Sequence, residues 1–157
     1  MSVDPEVLGL IEKCKEGNRR AQFDLYGRFS GLLFAVALRY TNTKIDAEDV
    51  VQNAWVKIFK NLNSFSENNS FEGWMRRIVV NTAISLYRKD KKHANQADIT
   101  EVLATPRDIE ASKECDFTRE ELENAISRMP EGYGMVFKLY VIDGYKHKEI
   151  SKMLDIE

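Results

Sequence analysis

Apolar residues in this chain return every three or four positions in one segment after another, and that spacing limits the fold more than any other feature. It is clearest between residues 46 and 62. Val50, Val51, Ala54, Trp55, Ile58, Phe59 and Leu62 fall on one broad face, and Asn53, Lys57 and Lys60 fall opposite. Such a segment is an amphipathic helix, with one stripe buried and the other in water. With 157 residues and 43% hydrophobic side chains, the chain can build one medium core or two small ones. Three prolines and eight glycines leave little material for a many-turned β fold. The expected class is all-α.

Capping residues divide the pattern. Asp4-Pro5 starts a first helix, with Val7, Leu8, Leu10 and Ile11 as its apolar residues. Gly17-Asn18 ends it and caps the next, whose stripe reads Phe23, Tyr26, Leu33, Phe34, Ala37 and Leu38; Gly27 and Gly31 would permit a bend. Asp46, with Asp49 three residues on, is the expected cap of the third helix. The stretch Asn63 to Asn69 is polar apart from Phe65, and Ser70 caps a fourth helix carrying Phe71, Trp74, Met75, Ile78, Val79 and Leu86. Residues 94–117 lose periodicity and read as a flexible acidic linker. Thr118 to Glu121 then forms a capping box, Pro130 opens a helix that Asp143-Gly144 breaks, and Lys146 to Leu154 forms a last short one, with Ile150, Met153 and Leu154 inward.

Several function classes find no support. Cys14 and Cys115 lie far apart without a CxxC partner, and His93 and His147 are isolated, so neither a disulfide nor a metal site is expected. No nucleophile triad or glycine-rich phosphate loop occurs, so no enzyme and no cofactor are expected. Asp46, Glu48 and Asp49 cluster, but in a first helical turn, where the backbone dipole already favours anions. There is no apolar run of spanning length and no basic leader; the expectation is a cytoplasmic protein without membrane insertion. Charge is divided unevenly. Residues 1–93 carry net +4 and residues 94–157 net −6, so the first part can face phosphates and the second is a poor generic DNA binder.

The third and fourth helices also carry a resemblance. Asp46-Ala47-Glu48-Asp49-Val50-Val51-Gln52, Trp55 to Leu62, Phe65, and Phe71 through Thr82 resemble region 2 of sigma-70 family RNA polymerase sigma factors, with the extracytoplasmic-function group most similar. Leu122 through Ile156, with Met129-Pro130 and Gly144-Tyr145 followed by Glu149-Ile150, resembles the start of their region 4. The resemblance implies two small helical domains: a four-helix region 2 over 1–93 and a partial helix-turn-helix region 4 over 118–157, joined by the linker. It implies a factor that binds core polymerase and directs promoter recognition and melting. The third helix would dock on the β′ clamp coiled coil through Asp49, Gln52 and Asn53, although Asn53 stands where the family often has an acid.

The loop and fourth helix would take the melted −10 strand. Phe65, Ser66, Asn68 and Asn69 suit a pocket that stacks a base and bonds its edge. The Asn81 amide can donate and accept at once, as adenine requires. Arg76, Arg77, Arg88 and Lys89 suit phosphates. Trp74 shares the face of Phe71 and Ile78 and reads as core. An anti-sigma protein is a further implied partner. The chain stops after Asp155-Ile156-Glu157, before a recognition helix, so region 4 reads as truncated, with no −35 contacts and a loosely held strip at Ile150, Met153 and Leu154. Two readings from other classes stand beside this one: a duplex-binding helix-turn-helix regulator, which would leave the first four helices without a role, and a helical adaptor, which would bind neither polymerase nor single strands.

Overall fold

A computed structural model describes residues 3–94 and 118–156. All regular elements among them are helical, and the chain separates into two compact units, Met1–Asp90 and Lys91–Glu157. The expected linker lies, but for Ala94, outside the described residues, as does Cys115.

In the first unit, α1 (Pro5–Lys15) begins where Asp4 accepts a hydrogen bond from the Glu6 amide at 3.0 Å. It ends at Gly17, whose φ of +81° is the left-handed turn glycine makes without strain. Asn18 then accepts from Ala21 N at 3.1 Å and starts α2 (Arg19–Tyr40). Arg28 of α2 reaches back to Glu6 at 3.0 Å and Asp4 at 3.2 Å, tying the two helices together at the surface.

Two expectations are corrected here. First, α2 is continuous for 22 residues and buries Ala21, Leu25, Phe29, Leu33, Val36, Ala37 and Tyr40. Phe23 is 75% exposed, and Tyr26 and Leu38 are exposed too. The helix carries apolar residues on more than one face, and the core selected the unbroken stripe that steps by four and three from Ala21. Second, α3 (Lys44–Lys60) starts earlier than expected. Its cap is Thr43, whose hydroxyl accepts from Asp46 N at 3.1 Å, so Asp46 lies inside the first turn. The predicted apolar face of α3 is otherwise the observed one: Ala47, Val50, Val51, Ala54, Trp55 and Ile58 are buried and Phe59 is half-buried.

A short 3-10 turn, Leu62–Ser64, leads to α4 (Phe71–Ala94). Met75, Val79, Val80, Ala83 and Ile84 of α4 are buried with Leu25, Leu33, Val50 and Ile58 in the core of this unit. Each large side chain so buried contributes about 1.5–3 kcal/mol.

The second unit starts with α5 (Arg119–Ser127), closed by the predicted capping box: Glu121 N donates to Thr118 Oγ1 at 3.3 Å and Thr118 N to Glu121 Oε2 at 2.9 Å. Helix α6 (Glu131–Phe137) widens into a π-helical turn over Lys138–Ile142. Gly144, at φ +72°, turns the chain into α7 (His147–Leu154). Lys146 N donates to Glu149 Oε2 at 2.9 Å, so the acid of the box is present without a hydroxyl cap. Met135, Leu139, Tyr145, Ile150 and Leu154 make a small core. The expected loose strip on α7 is therefore corrected. Ile150 is 2% exposed, Leu154 is also buried and Met153 half-buried, with α7 packed against the π turn.

Candidate functional site

The polar face of α3 presents Asp49, Gln52 and Asn53 to solvent, with no side-chain hydrogen bond among the described residues. Opposite them, Val50, Val51, Ala54 and Trp55 are fixed in the core. The three polar groups thus stand on a rigid helix and are free to meet another surface.

Between α3 and α4 the chain makes a small polar loop on an aromatic base. Phe65 is only 6% exposed. Its ring meets Phe71 edge-on at 5.0 Å and Trp74 at 5.5 Å, while Phe71 also stacks on Trp74 at 5.8 Å and meets Phe29 at 5.6 Å. Such pairs add about 0.5–1.5 kcal/mol beyond their buried area. Phe65 is therefore the anchor of the loop rather than a free stacking face. Trp74, expected to be core, is half-buried. On this base a tight turn closes with Asn69 N donating to Ser66 O at 3.0 Å, and Ser66, Asn68 and Asn69 are exposed. Ser70 caps α4, accepting from Gly73 N at 3.2 Å, as the sequence predicts.

Along α4, Arg77, Asn81, Ser85 and Arg88 are all exposed and follow one another by four, four and three residues, the spacing of one helical face. The stripe is about 16 Å long at 1.5 Å per residue. The Asn81 backbone carbonyl accepts the Ser85 hydroxyl at 2.9 Å, while its side-chain amide has no partner among the described residues. Arg76 stands off this stripe, half-buried, with its Nε unpartnered and Glu72 no closer than 3.9 Å. That is a loose ion pair. Lys89 is exposed.

Sequence reasoning gave no role to two further residues. Lys57 of α3 donates from Nζ to the Thr82 hydroxyl of α4 at 3.1 Å, and Thr82 in turn donates to Ile78 O at 2.7 Å. Thr82 is 6% exposed, a hydroxyl side chain buried on the apolar side of α4. A hydroxyl-bearing residue in the apolar stripe of α4 was the available signal. No group of three or more potential metal ligands occurs among the described residues, and no described helix is long and apolar enough to cross a membrane.

The sequence profile of Sigma-70 region 2 matches residues 25–93, which hold α3, the loop and the α4 stripe, and that of Sigma-70, region 4 matches residues 119–157. The chain belongs to the sigma-70 family. Within it, the similarity is to extracytoplasmic-function members. The ECF RNA polymerase sigma-E factor of Escherichia coli (strain K12) is 26% identical over 159 residues, covering 93% of this chain and 81% of the relative. That of Haemophilus influenzae is 26% identical over 157 residues, covering 93% and 82%. An engineered region 2 of sigmaE, solved in complex with GTAAAA, superposes with a TM-score of 0.51 at 27% identity, covering 62% of this chain and 100% of that one. CnrH, solved in complex with the cytosolic domain of CnrY, shares the fold with a TM-score of 0.51 at 21% identity over 94% of this chain and 82% of that one. This sigma-70 family chain is an ECF-type RNA polymerase sigma factor for promoter recognition.

Proposed function

We propose that the first unit divides the work of the sigma factor between two neighbouring surfaces. The α3 face with Asp49, Gln52 and Asn53 docks core polymerase on the β′ clamp coiled coil. The loop residues Ser66, Asn68 and Asn69, seated on Phe65, and the α4 residues Asn81, Arg76, Arg77, Arg88 and Lys89 hold the melted −10 strand. Region 2 spans 1–93, a linker 94–117 and region 4 118–157. The protein works in the cytoplasm without enzymatic activity of its own, and an anti-sigma protein is a partner; CnrH, of the same fold, was solved with the cytosolic domain of CnrY.

The observation that carries the DNA reading is the α4 stripe. An unpartnered Asn81 amide stands between Arg77 and Arg88 on one exposed face. Cations at both ends of the stripe track a phosphate chain and give sequence-independent affinity. The amide between them reads a base edge, and asparagine suits adenine. The sigmaE region 2 solved with GTAAAA supports a single strand as the ligand. The test is binding of the full chain to GTAAAA and its single-base variants. Asn81→Ala should lose discrimination at one position by about 1–3 kcal/mol, while Arg88→Ala should weaken every strand alike. Unchanged sequence preference in the Asn81 variant would remove it from this role.

A further inference from the structure

The Lys57–Thr82 contact joins the docking helix to the DNA-reading helix. Lys57 lies four residues beyond Asn53 on α3, and Thr82 is the residue after Asn81 on α4. Thr82 is almost fully buried on a face otherwise filled by Met75, Val79, Ala83 and Ile84. Valine has nearly the same shape and would fill that space without a polar atom. The hydroxyl's own proton goes to the Ile78 carbonyl at 2.7 Å, which orients its lone pairs, and one of them receives the Lys57 ammonium at 3.1 Å. An ammonium has three donors. One is spent on Thr82, and Lys57 is an exposed residue, so the others meet solvent or a ligand.

We infer that Thr82 is a positioning residue for strand reading: its buried hydroxyl fixes the Lys57 ammonium on the residue that follows Asn81, so that a backbone phosphate held by Lys57 sets the base presented to the Asn81 amide. A lysine on a free four-carbon stem neutralises a phosphate wherever one lies; it does not set register. A lysine pinned at its tip does. Thr82 therefore governs discrimination between sequences, and Lys57 itself supplies affinity as well. This rests on the reading that α4 takes the melted strand.

Thr82→Val leaves no orphaned buried group. The Ile78 carbonyl keeps its helical bond and Lys57 is exposed to water, so the fold should survive. Binding of the full chain to GTAAAA and its single-base variants is measured over a range of salt. T82V should keep the salt dependence of the parent, because the Lys57 charge remains. Its spread between the best and worst strands should shrink by about fivefold or more. T82S, which restores the hydroxyl, should restore the spread. K57M should weaken all strands, lower the slope of log K against log salt by about 0.7, and lose the same spread. A T82V protein that discriminates like the parent would overturn the inference. Should T82V melt early, K57M decides alone: loss of affinity with full discrimination would overturn it equally. If N81A and R88A also bind every strand as the parent does, the DNA reading of α4 has failed. If they are impaired and T82V is not, only the role of Thr82 has.

Discussion

Neighbouring residues of this chain stand in sharply different settings. Asn81 is exposed with an idle amide, and one residue on, Thr82 is buried with its hydroxyl doubly engaged. Cys14 is the contrasting case. It is 4% exposed, and burial, with the Asp24 charge adding to it, pushes its thiol above the ordinary range. The thiolate is the reactive form, so its fraction at a given pH is lowered by folding. In a Cys115→Ser background, Cys14 should label slowly with iodoacetamide at pH 8 in the folded protein and at the ordinary rate once unfolded. Equal rates in both states would contradict its placement. Burial was not legible in the sequence for Phe65. An aromatic in a polar loop is as consistent with base stacking as with anchoring, and only the ring contacts with Phe71 and Trp74 decide.

Whole elements were readable where pattern and caps agree, and misread where two apolar faces compete. For α3 the heavily apolar face left one choice, and the exposure of Asp49, Gln52 and Asn53 followed from it. Its start was misplaced by three residues because Asp46 and Thr43 both suit a cap, and only the bond from Asp46 N to Thr43 Oγ1 distinguishes them. Thr43→Ala should cost about 1 kcal/mol in denaturant unfolding, with no effect on the α4 stripe. For α2, periodicity alone allowed a face through Phe23, whereas the core is built on Leu25 and Phe29. Leu25→Ala should therefore destabilise by about 2–5 kcal/mol, and Phe23→Ala by less than about 0.5 kcal/mol. A reversal of that order would mean the helix is rotated from the face described.

At the scale of the whole molecule, two helical units were legible because periodicity lapses after the fourth helix, and the family was legible in the motifs of α3, the loop, α4 and the second unit. Less legible was the link between surfaces. Lys57 read as a solvated lysine on a polar face, and nothing in one sequence places its tip on a helix 25 residues away. The central claim is that the first unit meets core polymerase through Asp49, Gln52 and Asn53 and promoter strand through the loop and α4, on separate residues. Asp49→Arg with Gln52→Arg changes only the first surface, and both positions are exposed. The most direct test is the affinity of the purified full chain for purified core RNA polymerase, measured for the parent and this double variant, with GTAAAA binding and thermal unfolding alongside. The account predicts a complex with the parent, a clear loss of affinity in the double variant, and unchanged helicity, melting temperature and single-strand discrimination. A folded double variant that binds core polymerase as tightly as the parent, or a parent that forms no complex at all, would contradict it.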